Sequence, residues 1–220
     1  EKALASIKAT VGSYVWAALY QQRPSPPEGN IFKREWFRFY KELPADLDEV
    51  IQSWDCAFKE SDDSSYVVGQ PWGRKGANKY LLGQTRERMS FTATLTAIRT
   101  MSAKWPEANA KLVEDKANGT AVIDTLKDEI PGLIAVTPEG GKEVRAQAAS
   151  PTVEAGNVWL PDPSIAPWIH DFIEEVVSFP KAPNSDQVDA MTQALIWFQK
   201  APEPLDDKTK RMLQEAKFYG

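Results

Sequence analysis

Apolar and polar positions divide the chain into a helical start, a strand-rich middle and a helix–strand alternation closed by two helices. Leu4, Ile7, Val11, Val15 and Leu19 recur near every 3.6 residues, which predicts a helix over residues 1–20. The Pro-rich run from Arg23 to Asn30 ends it, because Pro cannot continue a helix. Aromatic residues then come densely, at Phe32, Trp36, Phe37, Phe39 and Tyr40. They read as an arm packed on a core or a surface for a missing partner domain. Residues 50–58, 64–69 and 79–86 read as strands, with a loop at 71–78, and their short links imply an antiparallel meander. Residues 91–105 predict a helix stopped by Pro106, 110–115 a strand, 120–130 a helix after Gly119, and 132–137 a strand. A stretch containing Pro and Gly runs to Pro167, with a helix at 142–149. Helices at 168–177 and 185–199 close the core, and the charged tail from Pro202 to Gly220 reads as a weakly docked helix.

This order predicts an α/β fold. The first three strands are antiparallel, and the last two, separated by helices, are parallel with right-handed crossovers. A mixed five-stranded sheet of order 3-2-1-4-5, with helices on both faces, satisfies both conditions and sets strands one and four side by side. The 220 residues suit one domain at 46–200, flanked by an arm at 1–45 and a tail at 201–220. A hydrophobic share of 42% excludes disorder for the bulk of the chain. No apolar run approaches the roughly 20 residues that span a bilayer, and no signal peptide opens the sequence. The absence of an initiator Met suggests a processed or excised piece.

Single residues exclude further classes. One cysteine, Cys56, cannot form an intramolecular disulfide, and one histidine, His170, cannot build a zinc site with it. Carboxylates are plentiful, with 31 Asp plus Glu against 26 Lys plus Arg and a net charge of −5. Such a balance argues against a simple nucleic-acid coat. The charges are also segregated: seven acids and one base between Asp46 and Asp63, then five bases and one acid between Pro71 and Arg88. That pattern fits a metal-binding pole beside a phosphate-binding one, or merely two solvated faces.

Three places deliver carboxylates that can carry chemistry. Asp55 interrupts an otherwise apolar strand, a costly position unless it is hydrogen-bonded or metal-bound. Glu114 and Asp115 end the fourth strand, and alternation lets only one of them face Asp55. Asp186 and Asp189, three apart in the first turn of the last helix, share a face with Gln193 a turn further on. Acids there also suit the helix dipole without any function. Gathered at one end of a sheet, however, these acids repel one another unless divalent cations neutralise them. Two Mg²⁺ or Mn²⁺ ions ~3.5–4 Å apart would cleave a phosphodiester without a histidine base.

Several stretches carry a more specific pattern: Trp54-Asp55 followed by residues 64–69, Leu112-Val113-Glu114-Asp115-Lys116-Ala117-Asn118-Gly119, residues 141–146 and 154–158, and Ser185-Asp186-Gln187-Val188-Asp189-Ala190. In this order they resemble the C-terminal nuclease region of the large subunit of tailed-phage terminases, the DNA-packaging motors. Residues 14–40 resemble the segment linking that family's ATPase to its nuclease. The resemblance implies a ribonuclease-H-like fold and a two-metal endonuclease. Such an enzyme cuts concatemeric double-stranded viral DNA, leaving 5′-phosphate and 3′-hydroxyl ends. The resemblance also implies Asp55 as first metal ligand, Glu114 or Asp115 as second, with Glu114 favoured, and Asp186 or Asp189 as third. Lys142 and Arg145, with Arg74, Lys75 and Lys79 of the hairpin loop, become candidate DNA phosphate contacts.

The sequence holds no G-x-x-x-x-G-K-[ST] loop, so ATP hydrolysis is not expected of it. The implied partners are the ATPase domain, the terminase small subunit and the portal, in the host cytoplasm and transiently at the procapsid, with no membrane. The alternatives are a junction resolvase of the same fold and a non-catalytic module that docks on portal or capsid.

Overall fold

The computed structural model describes residues 31–56, 66–116 and 118–200. The predicted helix at 1–20, the ends of the first two predicted strands at 57–58 and 64–65, and the predicted tail helix lie outside the described residues.

β-Branched and aromatic residues favour the strands β1 (Arg38–Tyr40), β2 (Glu49–Cys56) and β3 (Val67–Lys75), and pairing with β3 extends the sheet to β4 (Asn78–Leu81) and β5 (Thr85–Glu87). Then α1 (Phe91–Lys104), β6 (Ala108–Glu114), α2 (Asn118–Leu126), β7 (Leu133–Val136) and α3 (Lys142–Glu154) alternate. β8 (Val158–Pro161), α4 (Ile169–Ser178) and α5 (Asp186–Lys200) follow. The sheet order is β1-β8-β4-β3-β2-β6-β7, with β5 beside β3. Its stretch β4-β3-β2-β6-β7 is the expected 3-2-1-4-5 order, antiparallel across β4, β3 and β2 and parallel from β2 to β7.

The differences from expectation have local causes. The predicted loop at 71–78 is largely strand, because β3 runs on to Lys75 before turning at Gly76, whose φ is +55°. Pro71 is tolerated where β3 changes its outer partner, from β5 at Gly69 to β4 at Trp72. The predicted strand at 79–86 is two strands, broken at Leu82–Gln84. Helix α3 outruns its predicted end and passes through Pro151. Pro151 has no N–H for the carbonyl of Gln147, which instead accepts the Ser150 hydroxyl at 3.0 Å. β8 escapes sequence reading because its four residues end in Pro within a Pro- and Gly-containing stretch. It carries β1 beyond it, so Tyr40 is a sheet residue, and Phe32 and Phe37 are buried in the core.

Alternation along the strands separates two cores. Trp54, Val67 and Val113 pack with Leu95 and Ile98 of α1 and Val122 and Leu126 of α2. Ile51, Trp72, Leu112 and Leu160 pack on the other face, with Phe172 of α4 and Met191 and Leu195 of α5. The row of β2 residues on this second face ends in Asp55.

Candidate active site

Ile51, Ser53 and Asp55 share the α5 face of β2 by strand alternation. Ser53 fastens that helix, its hydroxyl donating to the carbonyl of Ala190 at 2.7 Å and accepting from Gln193 Nε2 at 2.8 Å. The parallel register sets Trp54 beside Val113, so the next residues, Asp55, one before the end of β2, and Glu114, the last of β6, lie on adjacent strands at the same end of the sheet. Glu114 has the parity of Leu112, which faces α5, and Asp115 the opposite parity. Asp115 is engaged elsewhere: its N–H donates to the Val136 carbonyl at 2.8 Å, and its carboxylate accepts the Thr120 hydroxyl at 2.8 Å. The start of α2 comes so near that a Cβ on Gly119 would stand 1.9 Å from the carbonyl oxygen of Glu114.

Asp186 and Asp189 are both buried in the first turn of α5. A polar network holds that turn. Glu175 of α4 accepts the Gln187 N–H at 2.8 Å, Gln187 Nε2 at 2.6 Å and the Arg86 guanidinium at 3.1 Å. Gln70 of β3 donates to the Gln187 carbonyl at 3.2 Å, and Gln84 donates to Gln187 Oε1 at 2.8 Å. None of Ser53, Gln70, Gln84 or Glu175 stands out as functional in the sequence. The signal that could have found Ser53, Gln70 and Glu175 is the presence of a hydroxyl, an amide and a carboxylate at buried positions of largely apolar segments, where each needs a partner.

The acids act on one another. Burial, then the charges of Asp189, Asp186 and Glu114, push the Asp55 carboxyl well above the ordinary carboxylate range, against a smaller pull from Lys142. Burial and Glu175 likewise raise Asp186, opposed by Lys142 and the Tyr66 amide. The counter-charges come from the first turn of α3. Arg145, 9% exposed at its side chain, pairs with Asp189 Oδ1 at 2.7 Å and Glu114 Oε2 at 3.6 Å. The Lys142 ammonium pairs with Asp189 Oδ2 and donates to the Ser185 hydroxyl at 2.7 Å. Burial disfavours that ammonium, but Asp189, Asp55 and Asp186 outweigh it and hold its pKa above the ordinary lysine value.

The structure therefore gathers Asp55, Glu114, Asp186, Asp189, Lys142 and Arg145. The hairpin bases stand apart: Asp55 pairs with Val68 and Glu49 with Arg74, six positions along β2, or about 20 Å. There Arg74 is buried in an ion pair with Glu49 at 2.9 Å, and Lys75 pairs with Asp48 at 3.3 Å. Antiparallel pairing thus sets part of the acidic run directly against the basic one. Lys79 donates to the Ala77 carbonyl at 2.7 Å. His170 is exposed at the start of α4.

Oxygen donors that raise one another's pKa suit hard divalent cations. Asp189 Oδ2 fits that reading too, being shielded from solvent and answered only by an ion pair. Among the described residues, no three carboxylates converge as a finished ligand set; Arg145 bridges Glu114 and Asp189, and Lys142 pairs with Asp189. No helix among the described residues is long and apolar enough to cross a membrane.

Solved structures share this fold. The large terminase of a thermophilic bacteriophage, solved in complex with ADP, matches with a TM-score of 0.72 at 9% identity, over 91% of this chain. The chain spans 52% of that protein's length. The large terminase nuclease of thermophilic phage G20c with bound magnesium matches at TM-score 0.60 and 11% identity, over 78% of this chain and 98% of that one. The g2p large terminase nuclease domain of bacteriophage SPP1 with bound Mn matches at 0.54 and 16%, over 74% and 97%. At these identities the likeness is one of fold. No curated protein sequence matches the chain. The model of the terminase RNaseH-like domain, however, matches residues 52–197, and the chain belongs to that family, the nuclease domain of phage large terminases.

Proposed function

We propose that this chain is a divalent-metal-dependent endodeoxyribonuclease that cuts concatemeric double-stranded DNA during genome packaging. The observation that carries the reading is the meeting of Asp55, Glu114 and the Asp186/Asp189 pair from three separate elements at one end of the sheet. Metal-bound relatives from phages G20c and SPP1 support it. Asp55, Glu114, Asp186 and Asp189 would hold Mg²⁺ or Mn²⁺. Ions bound there would supply an activated water and stabilise the leaving oxygen.

The protein's own part is positional. Ser53 and Gln193 fix α5 across β2, the Glu175 network fixes its first turn, and Arg145 ties the β6 acid to the α5 acid. Lys142, half exposed at the rim, is the base best placed to meet a phosphate near the cut. Lys75 and Lys79 would meet the duplex about six base pairs away, at ~3.4 Å per pair. In a complete motor the partners would be the ATPase domain, the small subunit and the portal, within the host cytoplasm. The test is plasmid cleavage in Mn²⁺, Mg²⁺ and EDTA with Asp55→Ala run alongside. Metal-dependent cutting by the wild type alone is expected, and cutting that survives the substitution overturns the reading.

A further inference from the structure

The two cations beside the acids differ in freedom. Arg145 is enclosed, with its guanidinium shared among Asp189, Glu114 and the Gly140 carbonyl, which accepts at 3.3 Å. Lys142 begins its helix with half its side chain exposed, and reaches in only by its ammonium, to Asp189 and Ser185. The fields of Asp55 and Asp186 also act on that ammonium, so it stands within the shared negative potential of the cluster. A divalent ion taking its place among these acids would face a like charge at contact distance, an unfavourable pairing at any protein dielectric. Arg145 is covered on nearly every side, whereas Lys142 has solvent on one side.

From this difference we infer that Lys142 is a resident counter-ion that a divalent metal displaces, after which its ammonium is free to take a DNA phosphate. Metal binding and DNA binding are then coupled through one side chain, and each strengthens the other by the same factor. This inference rests on the metal-site reading above. The coupling also has a protective sense. Without metal, Lys142 partly neutralises the acids and is withheld from DNA; with metal it presents a charge to the strand.

Calorimetry of Mn²⁺ binding to the wild type, Asp55→Asn and Lys142→Met separates the two readings. Wild type that binds no Mn²⁺, or Asp55→Asn that binds it as tightly as wild type, sinks the metal site itself. If the site holds, Lys142→Met should bind about tenfold more tightly, within the range typical of coupled sites, since a competing cation is gone. Equal or weaker binding by Lys142→Met overturns the displacement while the metal site stands. Amine acylation of the wild type, followed by peptide mass spectrometry, needs no substitution. Lys142 should react at least fivefold faster in saturating Mg²⁺ than in EDTA, while the exposed Lys33 keeps its rate; an unchanged Lys142 rate also overturns the displacement. Duplex affinity measured by anisotropy should rise less on adding Ca²⁺ in Lys142→Met than in the wild type. An equal rise removes the phosphate-contact half of the inference.

Discussion

Replacing Gly119 by Ala tests whether catalysis depends on the backbone path of Glu114. The added methyl would stand 1.9 Å from the Glu114 carbonyl oxygen, with the carbonyl carbon 3.1 Å away and a Val113 methyl at 3.5 Å. A carbon and a carbonyl oxygen approach no closer than about 3.3 Å, so the two must part by about 1.4 Å. The obstacle is backbone, and no side-chain rotation relieves it. Either the start of α2 lifts from the sheet or the end of β6 is pushed aside. β6 is hydrogen-bonded between β2 and β7, so the strain falls on its last residue, Glu114, on the turn that follows it and on α2. Overpacking of this kind costs about 1–3 kcal/mol of stability. A displacement of ~1 Å in a catalytic group costs about 100-fold in rate. Gly119→Ala should therefore fold, melt several degrees lower, bind Mn²⁺ more weakly and cleave plasmid about 100-fold more slowly. Gly83→Ala is the control, because its methyl would meet only Pro71 Cγ at an ordinary 3.6 Å. Full cleavage by Gly119→Ala at wild-type metal affinity would refute the argument, since the Glu114 backbone would then be free to move without consequence.

Glu175→Gln should lose about 3 kcal/mol in urea unfolding, because the Arg86 guanidinium loses its carboxylate partner while remaining largely covered. The same change removes a charge that raises Asp186, so the Asp186 pKa, followed by NMR, should fall toward the ordinary value. Asp55 and Asp186 both hold their protons more tightly folded than unfolded. In EDTA their contribution to stability should therefore decline as pH rises from about 4 toward their raised pKa values, and Asp55→Asn should flatten that decline in a pH series of thermal melts. Arg74→Met leaves Glu49 without its buried partner, and should lower the melting temperature while leaving duplex affinity near that of the wild type.

Much of this arrangement is legible in the sequence because period and spacing encode it. Alternation in Trp54-Asp55 and Val113-Glu114, with the helical spacing of Asp186 and Asp189, is enough to aim three elements at one place. Strands of ordinary length between clear turn residues give the central order. What is not legible depends on partners far away in sequence. β8 is four residues long and becomes a strand only because β4 and β1 flank it. The Pro71 run reads as a loop because nothing local reveals that Pro71 falls where the outer partner of β3 changes from β5 to β4. The charge segregation in residues 46–88 reads as two poles, yet antiparallel pairing turns Glu49 and Arg74 into mates. Lys142 and Arg145 read as bases for DNA, and only the packing of α3 against α5 reveals that both already pair with Asp189.

The order in which these parts occur along the chain has a consequence for synthesis. Asp55 lies on the spine strand, Glu114 on its neighbour, and the remaining two acids on the last described helix, locked down by Ser53 some 137 positions earlier. A nascent chain released only as far as residue 180 can form every strand of the sheet, yet it lacks half of the carboxylates and the helix that orders them. Contacts of such long sequence separation form late in folding. The proposed site is therefore completed only when α5 docks on β2, after every described strand of the sheet is already available to pair.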